Sequence, residues 1–160
     1  MLTINKTTDM LNNELKIVSR IAKLHTPSTA IYRMISDFSF LDKITPPDDR
    51  VKIVSCNSDM CKIAIEGGGE FTMVIAERKE NELVKISNDS NSPFDFKLWI
   101  QLKEKVAYET YLRITLHATM NPFMKMVAQK PLTNFVESMV DKLEQRFSVN
   151  SSTYDSNYEA

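Results

Sequence analysis

A long alternation of apolar and polar residues, from Val51 to Thr119, constrains the fold of this chain more than any other feature. Short polar or turn-type segments break the alternation at strand-length intervals, as expected for consecutive β-strands. The links are short, so we expect the strands to form an antiparallel meander. The breaks define six predicted strands, which are residues 51–56, 61–66, 70–78, 82–88, 94–103 and 107–119.

All three glycines of the chain stand side by side at residues 67–69, inside this alternation. A phosphate-binding loop would need a lysine and a hydroxyl residue after the glycines, followed by a helix. Glu70 and Phe71 follow instead, and the next segment alternates like a strand. We therefore predict a three-residue hairpin loop at 67–69, which places Ile65 opposite Phe71.

The hairpin loops predict that one face of the sheet is apolar throughout. Short loops at 58–59, 80–81 and 104–106 fix the remaining registers. They pair Cys56 with Cys61, Val54 with Ile63, Ile75 with Ile86, Leu98 with Leu112 and Phe96 with Ile114. The other face carries polar and charged side chains, so the apolar face needs a cover.

A strand and two short helices are predicted before the meander. The segment "ELKIVSRIAKL" alternates and should form an opening strand. Thr26 before Pro27 indicates a helix start, with the threonine hydroxyl as N-cap and the proline at the first helical position. A second short helix should end at "TPPDD", because two prolines cannot continue a helix.

A long amphipathic helix is predicted after the meander. Asn121 before Pro122 indicates its start, again with a side-chain cap followed by proline. An apolar stripe runs along residues 132–147 at helical spacing, which makes this helix the cover of the sheet. Pro131 should either kink the helix or split it in two.

This order of elements resembles the START-like, or SRPBCC (polyketide cyclase-like), superfamily, and the chain is similar to its small bacterial members of unassigned function. The resemblance covers 14–147 of the sequence. It rests on the opening strand and on the segments "TPSTAIYRMISDF", "SPFDFKLWIQLKE" and "NPFMKMVAQKPLTNFVESMVDKL".

The resemblance implies an α+β helix-grip fold of the START/Bet v 1-like type. In that fold a curved seven-stranded antiparallel sheet wraps around a long C-terminal helix, with two short helices after the first strand. A cavity between sheet and helix commonly holds apolar small molecules. The superfamily has no universal catalytic motif, so the resemblance implies no catalytic residues.

Length and composition indicate one domain at 14–147, between a poorly ordered or loosely packed segment at 1–13 and a polar, disordered tail at 148–160. The formal net charge of −1 argues against a nucleic-acid partner. No apolar run has the length of a signal peptide or of a membrane span. We therefore expect a cytoplasmic protein that does not insert into membranes.

The predicted binding residues lie on the apolar sheet face and on the helix that covers it. Both a packed core and a ligand pocket fit this pattern, and the methionine-rich helix start favours a pocket slightly. The predicted set is Ile63, Ile65, Phe71, Met73, Phe96, Leu98, Leu112, Ile114, Met124, Phe135 and Met139. Asn88 and Thr110 fall on the same face, where they could hydrogen-bond to each other, to water or to a ligand.

No metal site or cofactor is expected. His25 and His117, the two histidines, have no acidic or cysteine neighbour at ligand spacing and no evident nucleophile. Cys56 and Cys61 should face each other across a strand pair and, in a cytosol, remain small apolar thiols.

An aromatic pair is predicted on the outer, polar face of the sheet, where Trp99 would lie opposite Tyr111 near charged side chains. An ordinary exposed cross-strand pair is one interpretation. The other is the anchor of an interface, since Trp and Tyr dominate binding hot spots. A homodimer through this face is therefore one of the partner hypotheses.

The function that best fits these features is the binding or carrying of a small hydrophobic molecule. One alternative is a cyclase- or dehydratase-type enzyme acting on a polyketide-like or lipid substrate, and another is a cavity-free interaction module. An enzyme would need convergent ionisable groups inside the cavity. The pattern puts only Lys52 and Glu77 near it, both at the rim, while "ITPPDDR" and "NDSNSP" could gate its mouth.

Overall fold

The structure is a computed structural model that describes residues 13–43, 51–67, 69–92 and 94–159, with side chains described up to residue 40 and again from residue 51 to residue 148 within those ranges. The loop at 44–50 and most of the predicted N-terminal segment 1–13 lie outside the described residues.

Two α-helices and a 3-10 helix accompany the described strands. The strands are β1 Glu14–Val18, β2 Ala22–Leu24, β3 Val51–Cys56, β4 Met60–Ile65, β5 Gly69–Lys79, β6 Leu83–Asn88, β7 Asp95–Val106 and β8 Glu109–Thr119. The helices are α1 Ser28–Ile35, the 3-10 helix Phe38–Lys43 and α2 Pro122–Glu159.

The strands form one antiparallel sheet in the order β1-β8-β7-β6-β5-β4-β3, with β2 also paired to β8. The predicted opening strand is thus divided into β1 and β2. Val18 lies opposite Thr115 and Ala22 opposite Leu112, so three residues on the first strand face two on β8. This is a β-bulge, where the Ser19 hydroxyl accepts from the Ile114 N–H at 2.9 Å.

The glycine hairpin forms, but its loop lies one residue earlier than predicted. Ile65 pairs with Gly69, and Ile63 rather than Ile65 lies opposite Phe71. Gly69, the residue directly after the three-residue loop, has φ of +82°, a conformation that favours glycine. The register differs by two residues, so the same side chains remain on the apolar face.

The hairpin between β7 and β8 turns later than predicted, at residues 107–108, where Tyr108 has φ of +64°. The alternating charged residues of "KEKV" extend β7 instead of forming a loop. Leu98 therefore lies opposite Leu116, and Leu112 lies opposite Leu102. The predicted pair of Leu98 with Leu112 is wrong by four residues, but both side chains lie on the apolar face of the sheet, as predicted.

A second bulge changes the predicted pairing of β3. Ile53, not Val54, lies opposite Ile63, because one extra residue is inserted before Ser55. Val54 is consequently 52% exposed. The side chains of β3 before the bulge therefore point to the face opposite to the predicted one. Val51 is buried, and Lys52, predicted at the rim of the cavity, is exposed.

The two cysteines pair as predicted, since Cys56 lies opposite Cys61. They do not remain thiols, however, because the structure joins them in a disulfide with a Cα–Cα distance of 4.1 Å. The expectation of free thiols followed from an assumed cytosolic environment. Directly opposed cysteines in one hairpin bring their sulfur atoms within bonding reach, and the structure shows that bond.

Of the two predicted helix starts, that of α2 is confirmed and that of α1 is not. Asn121 caps α2, and its Oδ1 accepts from the Met124 N–H at 2.8 Å. The predicted Thr26 cap of α1 is wrong, because the helix begins at Ser28 and has no side-chain cap from its N-cap residue. The Ser28 N–H instead donates to Glu104 Oε1 on β7 at 2.6 Å.

α2 is continuous across Pro131 and reaches Glu159. The helix thus includes residues 148–159.

The apolar face of the sheet and the apolar stripe of α2 form one core, as expected for a sheet that has one polar face. Phe135, Val136, Met139, Val140 and Leu143 of the helix are all buried in it. No helix in the described part of the chain is both long and apolar enough to cross a membrane.

Candidate functional site

Two small voids lie between the sheet and α2 among the described side chains. The larger has a volume of about 20 Å³ and the smaller about 10 Å³. Met73, Leu98 and Phe135 contribute to the walls of both voids. The two voids are therefore neighbours that are separated by these three side chains.

Three phenylalanine side chains pack against one another in the wall of the larger void. The rings of Phe71, Phe94 and Phe96 form a cluster with centroid distances of 5.2, 5.2 and 5.8 Å. Their planes are tilted or edge-to-face, which is the favoured geometry for packed aromatic rings. All three side chains are at most 5% exposed.

Most of the predicted binding residues lie at these voids. The larger void is lined by Ile63, Ile65, Phe71, Met73, Phe96, Leu98 and Phe135 from the predicted set, and the smaller by Met73, Leu98, Phe135 and Met139. Leu112 and Ile114 are buried elsewhere in the core, and Met124 packs against its edge. These three residues line neither void.

Sequence reasoning missed several lining residues. The larger void also has Val51, Phe94, Leu116 and Leu132 in its walls, and the smaller has Ile35, Phe38, Phe40, Ile86 and Ile100. The helical spacing of Ile31, Met34, Ile35 and Phe38, in the segment before the meander, is the signal that could have identified Ile35 and Phe38. Leu116 lies opposite Leu98, where the predicted register had put Leu112.

The two predicted polar anchors are satisfied by the protein itself. Asn88 accepts from the Phe96 N–H at 2.7 Å through Oδ1, and its Nδ2 donates to Asp95 Oδ1 at 3.0 Å. Thr110 is fully buried, and its hydroxyl donates to the Thr26 carbonyl at 2.7 Å. Neither residue lines either void.

A much larger concave region lies on the opposite, outer face of the sheet, and we call it the outer groove. Its volume is about 720 Å³. It lies across the β5–β6 turn, β7, β8 and the bulge before β2. Its lining residues are Ile21, Lys79, Glu82, Leu83, Gln101, Leu102, Lys103, Lys105, Tyr111, Leu112 and Arg113.

A hydrogen-bonded triad borders the outer groove. The Tyr111 hydroxyl donates to Glu109 Oε1 at 2.8 Å, and Lys23 Nζ lies 3.1 Å from the same oxygen. The hydrogen bond from Tyr111, followed by that from Lys23, lowers the pKa of Glu109. The same contacts with Glu109 raise the pKa of Tyr111 and the pKa of Lys23.

The predicted pair of Trp99 and Tyr111 does not form. Trp99 lies opposite Thr115, and Tyr111 lies opposite Lys103, because the β7–β8 register is shifted. Both residues are nevertheless on the outer face. The Trp99 ring packs edge-to-face against His117 at 5.1 Å, with Lys85 Nζ 5.8 Å from its centroid.

The described residues show no arrangement that would bind a metal. Within them, no group of three or more His, Cys, Asp or Glu side chains is placed to hold an ion. The residues that line the two voids are all apolar, so none of them can exchange a proton with a ligand.

Comparison with known proteins gives matches in structure only. No family model and no curated protein matches the chain. A norcoclaurine synthase point mutant from Thalictrum flavum, in complex with a transition-state analogue, matches with a TM-score of 0.60 at 10% identity. The match covers 86% of this chain and 96% of that one.

Two further solved structures are similar to this one. A protein from Thermus thermophilus has a TM-score of 0.60 at 16% identity, covering 86% of this chain and 99% of that chain. A START superfamily protein from Mycobacterium smegmatis has a TM-score of 0.57 at 15% identity, covering 84% and 97%. Identities this low support the fold and not an activity. The chain therefore has the START-like helix-grip fold, which confirms the prediction from the order of its elements.

Proposed function

We propose that this protein binds or carries a small apolar molecule in the space between the sheet and α2. The observation that carries the proposal is the arrangement of the two voids. Since Met73, Leu98 and Phe135 separate them, movement of these side chains would join the voids into one site. Walls made only of apolar side chains suit an apolar guest.

The site must open before it can hold a ligand. The voids measure about 20 and 10 Å³, whereas small-molecule sites usually occupy about 300 Å³ or more. Met73 has a flexible, unbranched thioether chain that adapts to irregular shapes. Phe135 lies on α2, so a displacement of the helix would widen both voids. The guest would then restore the dispersion attraction between apolar groups that opening removes.

The larger void is lined by the two described residues that directly follow the segments predicted to gate a mouth. Val51 begins β3 and Phe94 precedes β7, and both side chains line that void. The segments "ITPPDDR" and "NDSNSP" join the sheet at these two residues. We propose entry of the apolar molecule at this end.

Proteins of the same fold hold small molecules. Norcoclaurine synthase from Thalictrum flavum has been solved with a transition-state analogue and with dopamine and hydroxybenzaldehyde. These ligands belong to that enzyme. They support the proposal only as an example of a protein of this fold that binds small molecules.

Binding without chemistry is favoured over a cyclase- or dehydratase-type activity. Catalysis of that type needs a proton donor or acceptor within reach of the reacting atoms. The apolar walls of both voids offer none. The second candidate is an interaction module without a ligand, and the small volume of the voids favours it.

The experiment compares binding of the neutral dye Nile red by the unaltered protein and by matched variants. Phe135→Leu removes part of the wall between the voids and should tighten binding. Phe147→Leu is the control, because Phe147 is a buried phenylalanine of the same helix that lines neither void. Leu98→Phe adds bulk to both voids and should weaken binding, with circular dichroism to confirm the fold.

The proposal expects fluorescence enhancement with the unaltered protein and the order Phe135→Leu above Phe147→Leu above Leu98→Phe. Native mass spectrometry of gently purified protein should also show an apolar molecule that is lost on denaturation. If neither the unaltered protein nor folded Phe135→Leu binds the dye, the proposal fails and the interaction module becomes the better account.

A further inference from the structure

The outer groove has the size of a small-molecule site and is separate from the interior. Its volume of about 720 Å³ lies within the usual range of roughly 300–1,000 Å³. None of its lining residues lines either void. Its ligand chemistry is therefore independent of the function proposed for the interior.

Positive charge dominates the outer groove although the net charge of the chain is −1. Four cationic side chains, Lys79, Lys103, Lys105 and Arg113, line it together with one carboxylate, Glu82. Glu82 is already paired with Lys79 at 3.7 Å. A carboxylate that borders the groove, Glu109, is held by Lys23 and Tyr111.

Three of the four cations have no carboxylate partner among the described side chains. Arg113 donates to the neutral Gln101 Oε1 at 2.9 and 3.3 Å. Lys105 Nζ lies 4.8 Å from the centre of the Tyr111 ring. Lys103 lies opposite Tyr111, and this pair is two residues along the strands from the Gln101–Arg113 pair on the same face. An anion in the groove would meet Lys103 and Arg113 on adjacent strands.

The groove also offers apolar surface beside these charges. Ile21, in the bulge before β2, is 62% exposed, and Leu83 at the start of β6 is partly exposed. An isolated inorganic anion would leave this surface in water. A ligand with an anionic group and an apolar body would use both features.

We propose that the outer groove binds a small, freely soluble organic anion with an apolar body. Its carboxylate, phosphate or sulfonate is held by Arg113 and Lys103, and its apolar body lies against Ile21 and Leu83. A planar guanidinium can donate two parallel hydrogen bonds to such a group. Charge complementarity selects the anion, and the volume of the groove selects a small molecule.

The test uses the fluorescent anion anilinonaphthalene sulfonate (ANS), titrated at low salt. The double variant Lys103→Gln/Arg113→Gln removes the proposed anion contacts. Lys16→Gln/Lys97→Gln is the matched control, since it removes two charges from the same sheet face outside the groove. We expect the groove variant to weaken ANS binding about tenfold or more, and the control to change it much less.

Salt and the interior variants distinguish this site from the interior one. Raising NaCl from about 0.05 to 0.5 M should weaken ANS binding, because exposed charges are screened, and should leave Nile red binding unchanged. Leu98→Phe should affect Nile red and not ANS. Equal ANS affinities for the two double variants would overturn the proposal.

Two other occupants are included in the same test. Vesicles rich in phosphatidylglycerol present anions on a membrane surface, and an oligoglutamate peptide presents them on a chain. Groove-dependent binding of either one without groove-dependent binding of ANS would overturn the proposal and assign the surface to that partner.

Discussion

At the scale of single residues, the Lys23–Glu109–Tyr111 triad shows how exposed groups can be coupled. The phenol of Tyr111 donates to the carboxylate of Glu109, which favours the protonated phenol and the ionised carboxyl group. The raised pKa of Tyr111 means that its contribution to stability is lost as pH rises through that pKa. The lowered pKa of Glu109 means that its contribution is lost as pH falls through that pKa.

We predict that Tyr111 ionises above the ordinary pKa of tyrosine and that Glu109→Gln lowers its pKa. The amide can still accept a hydrogen bond but carries no charge to oppose ionisation of the phenol. NMR titration of the tyrosine ring carbons would measure the effect, with Tyr111→Phe to assign the signal. An unchanged pKa of Tyr111 in Glu109→Gln would contradict the hydrogen-bond geometry described above.

At the scale of elements, the sequence predicted which face each side chain occupies better than which residue it faces. The registers of the glycine hairpin and of β7–β8 differ from prediction by two and four residues, and even shifts preserve the face. The bulges at Val54 and before β2 each insert one residue, which the alternation does not reveal. The register of a hairpin depends on the conformation and length of its loop. The sequence between two strands is compatible with more than one loop length, and each length gives a different register.

The glycine hairpin gives a prediction about stability. Gly67 and Gly69 have φ of +78° and +82°, so alanine is strained at both positions. A Cβ at Gly67 would also lie 3.2 Å from Val127 Cγ1 on α2, whereas a Cβ at Gly69 meets nothing within 4 Å. Gly69→Ala should cost about 1 kcal/mol, and Gly67→Ala should cost more.

Urea unfolding monitored by circular dichroism would measure both costs, and Nile red binding would serve as the functional control. The hairpin is a structural turn in this account, so dye affinity should stay near that of the unaltered protein. A larger loss for Gly69→Ala than for Gly67→Ala would contradict the described contact with α2.

At the scale of the whole molecule, the sequence predicted the fold but not the volume of its interior. Alternation and helical spacing define a covered sheet, whereas the volume left inside depends on how Phe71, Phe94 and Phe96 pack against one another. The outer groove was also missed. Its cations come from the β5–β6 turn, β7 and β8, and only the correct register brings Lys103 and Arg113 together.

The central claim is that an apolar guest enters between the sheet and α2, and methionine methyl groups report its position directly. Met73 lines both voids and Met139, on α2, lines the smaller one. Met126 is also on α2, but its side chain is 80% exposed. In protein labelled with 13C at the methionine methyls, saturation with Nile red should shift the Met73 and Met139 signals and leave that of Met126 in place. Dye binding that shifts Met126 while Met73 and Met139 stay unchanged would contradict the account.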